Sequence, residues 1–207
     1  IYGRHDSIYQ FPRKRPVMSA PGLPLIENGI IKFNDTFSEK YVTTIIEAKR
    51  IKPSIDKLIA SLYENISKAD RNKQNIEVLL SIAYLEKHFI DMVLTLESVE
   101  ILLNQAGDLS QNGNSDGAIQ NLQRAHLEIE ALLANRTTMW NGLKTIWEKG
   151  RLPKNVNANR NPYVHVLDDV KDHVADKTLG IEYMIEPMED MELDKWNEEL
   201  EKLIAEF

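Results

Sequence analysis

The chain contains no cysteine, so disulfide cross-links, thiolate nucleophiles and cysteine-bound zinc are all excluded. Compartment stays open, since cytosolic and exported proteins alike can lack the residue. No apolar run comes near the ~18 residues of a helical membrane span. Glycine and proline, 9 and 8 in 207 residues, are too few for a collagen-like or low-complexity chain. Basic residues are outnumbered, 25 against 32 acidic, and a formal net charge of −7 makes nucleic acid a poor partner. Motifs for chemistry are scarce too: no glycine-rich phosphate loop, no HExxH and no calcium loop with its central glycine. No serine, histidine and aspartate stand in an arrangement that singles out a triad, and no cofactor site is legible. The chain opens on Ile1 with no signal-peptide pattern behind it, which is the expectation for a processed product or a piece of something longer.

What is present is a globular composition, 43% hydrophobic and 28% charged, in a 23.8 kDa chain able to bury a core of its own. Charge is segregated along it. Residues 1–37 carry five basic side chains against three acidic, whereas residues 186–207 carry two against nine, so the acidity belongs to the C-terminal stretch and reads as a solvated helix face.

Three seams of apolar residues dominate the middle. Tyr41, Ile45, Ala48, Ile55, Ile59, Leu62 and Ile66 recur at alternate steps of four and three, which predicts a helix over about 38–67 that is kinked, or split into two abutting helices, at Pro53. Ile76, Leu80, Ala83, Ile90, Leu94 and Ile101 predict a second helix over about 75–106. A further set, Val78, Leu85, Phe89, Met92, Leu96, Val99 and Leu103, lies on its opposite side, so this helix needs cover on two faces. Gly107 and the polar run 110–117 predict a break. Ala118, Leu122, Ala125, Ile129, Leu132, Trp140, Leu143 and Trp147 then define a one-sided third helix ended by Gly150 and Pro153. Short turns between long helices force antiparallel neighbours. The expected fold is all-α: an up-down-up three-helix bundle over 38–150, an extended arm over 1–37 carrying Pro12, Pro16, Pro21 and Pro24, and a loop with a C-terminal helix over 151–207 packed on the bundle. That last helix, about 189–207, turns Leu193, Trp196, Leu200, Leu203 and Ile204 inward. No 34-residue period recurs, which rejects a tetratricopeptide array.

Three polar features invite a functional reading. The densest is His165, Asp168, Asp169, Asp172, His173 and Asp176; on a helix, two imidazoles and three carboxylates share a face and could hold a divalent metal or exchange protons. The spacing matches no specific motif, and a capping, ion-pairing segment is the plainer expectation, so no residue is assigned as catalytic, cofactor-binding or metal-binding. The second is a set of cations on the seams: Lys52, Lys87 and Arg136 fall at one height of the folded bundle. Either they snorkel to solvent or carboxylates meet them, with Glu47, Glu86 and the aspartates after His165 as candidates. The third is the tryptophans: Trp140, Trp147 and Trp196 could form a sugar platform, but their seam positions predict core.

Two stretches carry a resemblance. Trp147-Glu-Lys-Gly-Arg-Leu-Pro-Lys154, Val164-His-Val-Leu-Asp-Asp-Val-Lys-Asp-His-Val-Ala-Asp176, Tyr183-Met-Ile185, Pro187 and Leu193 to Trp196 resemble the C-terminal helical region of bacterial glycoside hydrolase family 20-like proteins, relatives of β-N-acetylhexosaminidases. The opening Tyr2-Gly-Arg-His-Asp-Ser-Ile-Tyr9 and Arg15-Pro-Val-Met-Ser-Ala-Pro-Gly-Leu-Pro24 is similar to the linker that leads into it. Together they span about a third of the chain. The family's catalysis uses an eight-stranded barrel with an adjacent Asp-Glu pair, and none of it carries over: this sequence has no Asp-Glu dipeptide, and 207 residues fall short of the ~250 of a barrel. The resemblance implies a non-catalytic accessory module, exported like its relatives and linked to or docked on a catalytic barrel. The alternative is an autonomous helical interaction module, or a homodimer formed through the second helix.

Overall fold

A computed structural model describes residues 18–149 and 191–207, with side chains up to residue 146 in the first stretch. The arm is more structured than its prolines suggest. Asn28 and Gly29, at φ 53° and 74°, turn the chain in the left-handed region, and strands β1 (Leu25–Glu27) and β2 (Ile30–Lys32) pair antiparallel across them with Ile26 opposite Ile31. Asn-Gly between apolar residues favours this tight hairpin, because both central positions need positive φ. The expected extended arm is therefore corrected over 25–32.

Among the described residues five helices follow: α1 (Phe37–Lys40), α2 (Val42–Lys68), α3 (Lys73–Gln111), α4 (Ser115–Lys149) and α5 (Leu193–Glu206). The long three run alternately up and down, as the seams require, and the chain is an all-α bundle with a small hairpin. Among the described residues no helix is long and apolar enough to cross a membrane. Packing follows chain order. α3 lies between α2 and α4, α5 covers α4, and β2 and α1 cover the C-terminal half of α3. The two apolar sides of α3 are thus met within one chain over residues 92–103, where Met92, Leu96, Val99 and Leu103 are buried.

Several expected boundaries move, each for a physical reason. The first helix begins near Ser38, as expected, but is interrupted: the Ser38 amide and hydroxyl both donate to the buried Glu100 carboxylate on α3, the amide at 2.9 Å, and the chain breaks at Tyr41, whose hydroxyl accepts from the Ser19 amide at 3.0 Å. Pro53 does not split α2. It sits on the exposed side, where water can serve the carbonyl that loses its helical donor. Gly107 does not end α3 either. It is buried inside the helix, where an added Cβ would lie 3.4 Å from the Ile31 carbonyl, and one turn on the Ser110 hydroxyl accepts the Ile31 amide at 2.7 Å. The strand backbone lies in van der Waals reach of the helix at this position. The true stop is Gly113 at φ 75°, whose amide reaches the Ser110 carbonyl at 3.1 Å. Asn114 then opens α4, its side chain accepting the Gly117 amide at 3.0 Å, so the expected loop over 110–117 shrinks to a tight turn. Ile101, expected inward, is about half exposed (48%).

The ends meet on the bundle. Leu193, Trp196 and Leu200 are buried as expected, and the Trp196 indole donates to the Pro21 carbonyl at 2.7 Å, with Pro21 and Pro24 themselves fully buried. Residues 18–37 thus pack on the bundle.

Candidate functional site

Toward the N-terminal end of α3 the three long helices separate. A cleft of about 490 Å³ opens along α3, walled by α4 and reached by Tyr63 of α2. Its apolar lining comes from Leu80, Leu132, Met139, Leu143 and Ile146, and its polar lining from Ser81, Tyr84, Lys87, His88, Asp91, Asn135 and Thr138. Gly142 leaves one wall open, since a Cβ there would meet nothing within 4 Å.

Two of the seam cations sit at its edge, and carboxylates do meet them. Asp91 takes hydrogen bonds from both Lys52 and Lys87, the latter at 2.9 Å, and Lys87 also reaches Asp56 at 3.1 Å. Burial pushes the Asp91 carboxyl up, but the two ammonium groups outweigh it and hold it below the usual carboxylate range. For Lys87 burial acts downward, and its aspartate partners outweigh that and raise it. Arg136 stands apart, bonded to Asp194 of α5 at 2.7 Å. Glu47, one expected partner, pairs with Arg50 instead. One of these pairs was within reach of the sequence, since Asp91 lies four residues after Lys87, the spacing of neighbours on a helix; the Lys52–Asp91 and Lys87–Asp56 pairs cross between helices.

His88 is the residue the seams hid. It falls between the two apolar sets of α3, is only 6% exposed, and lines the cleft. Burial foremost, then the Arg136 charge, pushes its imidazole down to about 4 against a weaker pull from Asp91, so it is neutral at physiological pH. Beside it the Tyr84 hydroxyl donates to Tyr63 at 2.8 Å, and burial followed by that contact raises the Tyr84 phenol to about 12. Ser81 and Thr138 donate to their own helix carbonyls at 2.7 and 3.0 Å. Lys87 is tied to aspartates, the Ser81 and Thr138 hydroxyls to backbone, and the Tyr84 hydroxyl to Tyr63. Among the described residues the cleft therefore offers shape and hydrogen bonds, with no nucleophile held against a base.

Of the other expected groups, Trp196 is core and Trp140 is half-buried on α4, while the Trp147 side chain lies outside the described residues. So do the cluster from His165 to Asp176 and the segments flanking it. Among the described residues, no group of three or more histidines and acids is placed to hold a metal ion. Compared with known protein families, with curated proteins and with solved structures, the chain finds no match.

Proposed function

We propose that this chain is a non-catalytic helical module that acts by docking on a larger protein body, and that, following the resemblance of its C-terminal third, this body is the catalytic barrel of an exported glycoside hydrolase. The observation that supports docking is a bare apolar stripe. On the side of α3 turned away from the cleft, Val78, Leu79 and Ile82 are 38%, 56% and 53% exposed, whereas β2 and α1 cover the other half of the same helix. Apolar side chains left bare at one end of an otherwise covered helix are what an interface with a second body would need.

The test has two parts. Reading the gene upstream of the Ile1 codon should give a barrel-coding region with an adjacent Asp-Glu pair; a reading frame without one removes the hydrolase from the proposal. The double substitution Leu79→Lys with Ile82→Lys, at exposed positions, should leave the melting temperature of this chain unchanged and lower that of the full-length product. If sedimentation instead shows a symmetric dimer of this chain that the double variant separates, the stripe serves self-association and the barrel reading fails.

A further inference from the structure

The stripe occupies one side of α3; the cleft occupies the other, and carries a separate inference. We propose that the cleft between α2, α3 and α4 binds a small uncharged molecule with an apolar body and one hydroxyl or amide group, seated with that group on His88.

Three observations carry it. First, the cleft is of ligand size, about 490 Å³, and its floor is apolar where Leu132, Met139, Leu143 and Ile146 converge. Second, His88 is more than nine-tenths buried, yet among the described residues no hydrogen bond holds either ring nitrogen. Its ring nitrogens, unlike the sealed and unpartnered Nδ1 of His126, face an open cleft, so a hydroxyl or amide of a ligand can replace the water that would otherwise meet them. Third, the charges around it select against ions. Lys87 is paired with Asp56 and Asp91, and Arg136 with Asp194, so among the described residues of the lining each cation already has a carboxylate and an anionic ligand would have to compete with it. A neutral imidazole presents one donor and one acceptor, which a hydroxyl or an amide satisfies equally well. The oxygens of Ser81 and Thr138, which donate to helix carbonyls, keep lone pairs able to accept a second bond. This inference does not depend on the docking proposal, since it concerns the opposite side of the helix.

Phenol, toluene and benzoate serve as probes, with the Met139 methyl and the His88 ring followed by NMR at pH 7.5. Phenol should shift both signals saturably, and benzoate should shift neither. His88→Phe, which keeps the ring volume, should weaken phenol about tenfold, the worth of one hydrogen bond, and leave toluene unchanged. Gly142→Leu projects a side chain into open space and should abolish phenol and toluene binding without lowering the melting temperature. The proposal is overturned if no probe gives a saturable shift at Met139 and His88, if benzoate binds as well as phenol, or if Gly142→Leu binds phenol as the native chain does. Shifts confined to Val78, Leu79 and Ile82 would place the probes on the stripe and overturn it too.

Discussion

Acid should loosen this protein through His88 before its carboxylates respond. The imidazole has a folded-state value of about 4 against 6.5 when free. A base whose value is lowered on folding binds its proton more readily in the unfolded chain. Stability is therefore full above about pH 6.5 and is lost as pH falls toward 4, where the folded form also protonates. Linkage over that window gives a loss of about 2 kcal/mol between pH 7.5 and pH 5, and about 3 kcal/mol by pH 4. Urea unfolding at pH 7.5 and pH 5 measures it, with His88→Phe as the reference, because that variant retains the remaining histidines and every carboxylate. The native chain should lose about 2 kcal/mol more than the variant over that interval. Equal losses, or an NMR titration of the His88 ring with a midpoint near 6.5, would refute the reasoning, for they would mean that the ring is solvated or finds an anionic partner.

Asp91→Asn should cost about 1–2 kcal/mol in urea unfolding at pH 7, more than a surface pair and less than a fully buried one, because Lys87 keeps Asp56 while Lys52 loses its partner. The Asp91 carboxyl is held below its free value of 3.8, so its stabilisation is present above that pH and fades as pH falls through the folded value; the variant should show a flatter profile there. Ser110→Ala leaves the buried Ile31 amide without an acceptor and should cost about 1–3 kcal/mol; an unchanged midpoint would mean that the hairpin is not docked on α3. Amide exchange should divide α3: residues 93–106, next to the fully buried Leu96, Val99 and Leu103, should approach the global limit, while residues 75–82 should exchange at least about tenfold faster. Uniform protection along the helix would contradict this.

The long helices were legible because each buries one side against a neighbour, and a four-three step records that directly. What escaped was decided by backbone approach and by partners far apart in sequence. Gly107 reads as a terminator from its neighbours alone; only the Ile31 carbonyl lying against it, from the other end of the chain, turns it into a seat. Asn28-Gly29 carried a local hairpin signal that four prolines elsewhere in the arm obscured. The cations Lys52 and Lys87 are anomalous on a seam and mark an ion layer, but the seam does not say that Asp56 and Asp91 meet them, because two of those pairs cross between α2 and α3. His88 had no signal of its own, since a single histidine between two apolar sets becomes informative only once its burial and the cleft beside it are known.

The ion layer also bears on why cleft and stripe share one end. Lys52, Asp56, Lys87 and Asp91 interrupt the apolar packing between α2 and α3. On one side of them lies the large core that includes Leu96, Leu103, Leu122 and Ile129; on the other lies a small cluster around Ile59, Leu62 and Ala83. Charges at this depth return little net stability relative to apolar residues of the same size, because desolvation offsets their attraction. The far end of the bundle is therefore held by few buried contacts. The cleft opens along one side of α3 at this end, and no other described element reaches the opposite side to cover Val78, Leu79 and Ile82. One interruption in one seam thus accounts for both surfaces, and it places them where the fold can adjust to what it binds without disturbing the core that the hairpin and α5 enclose.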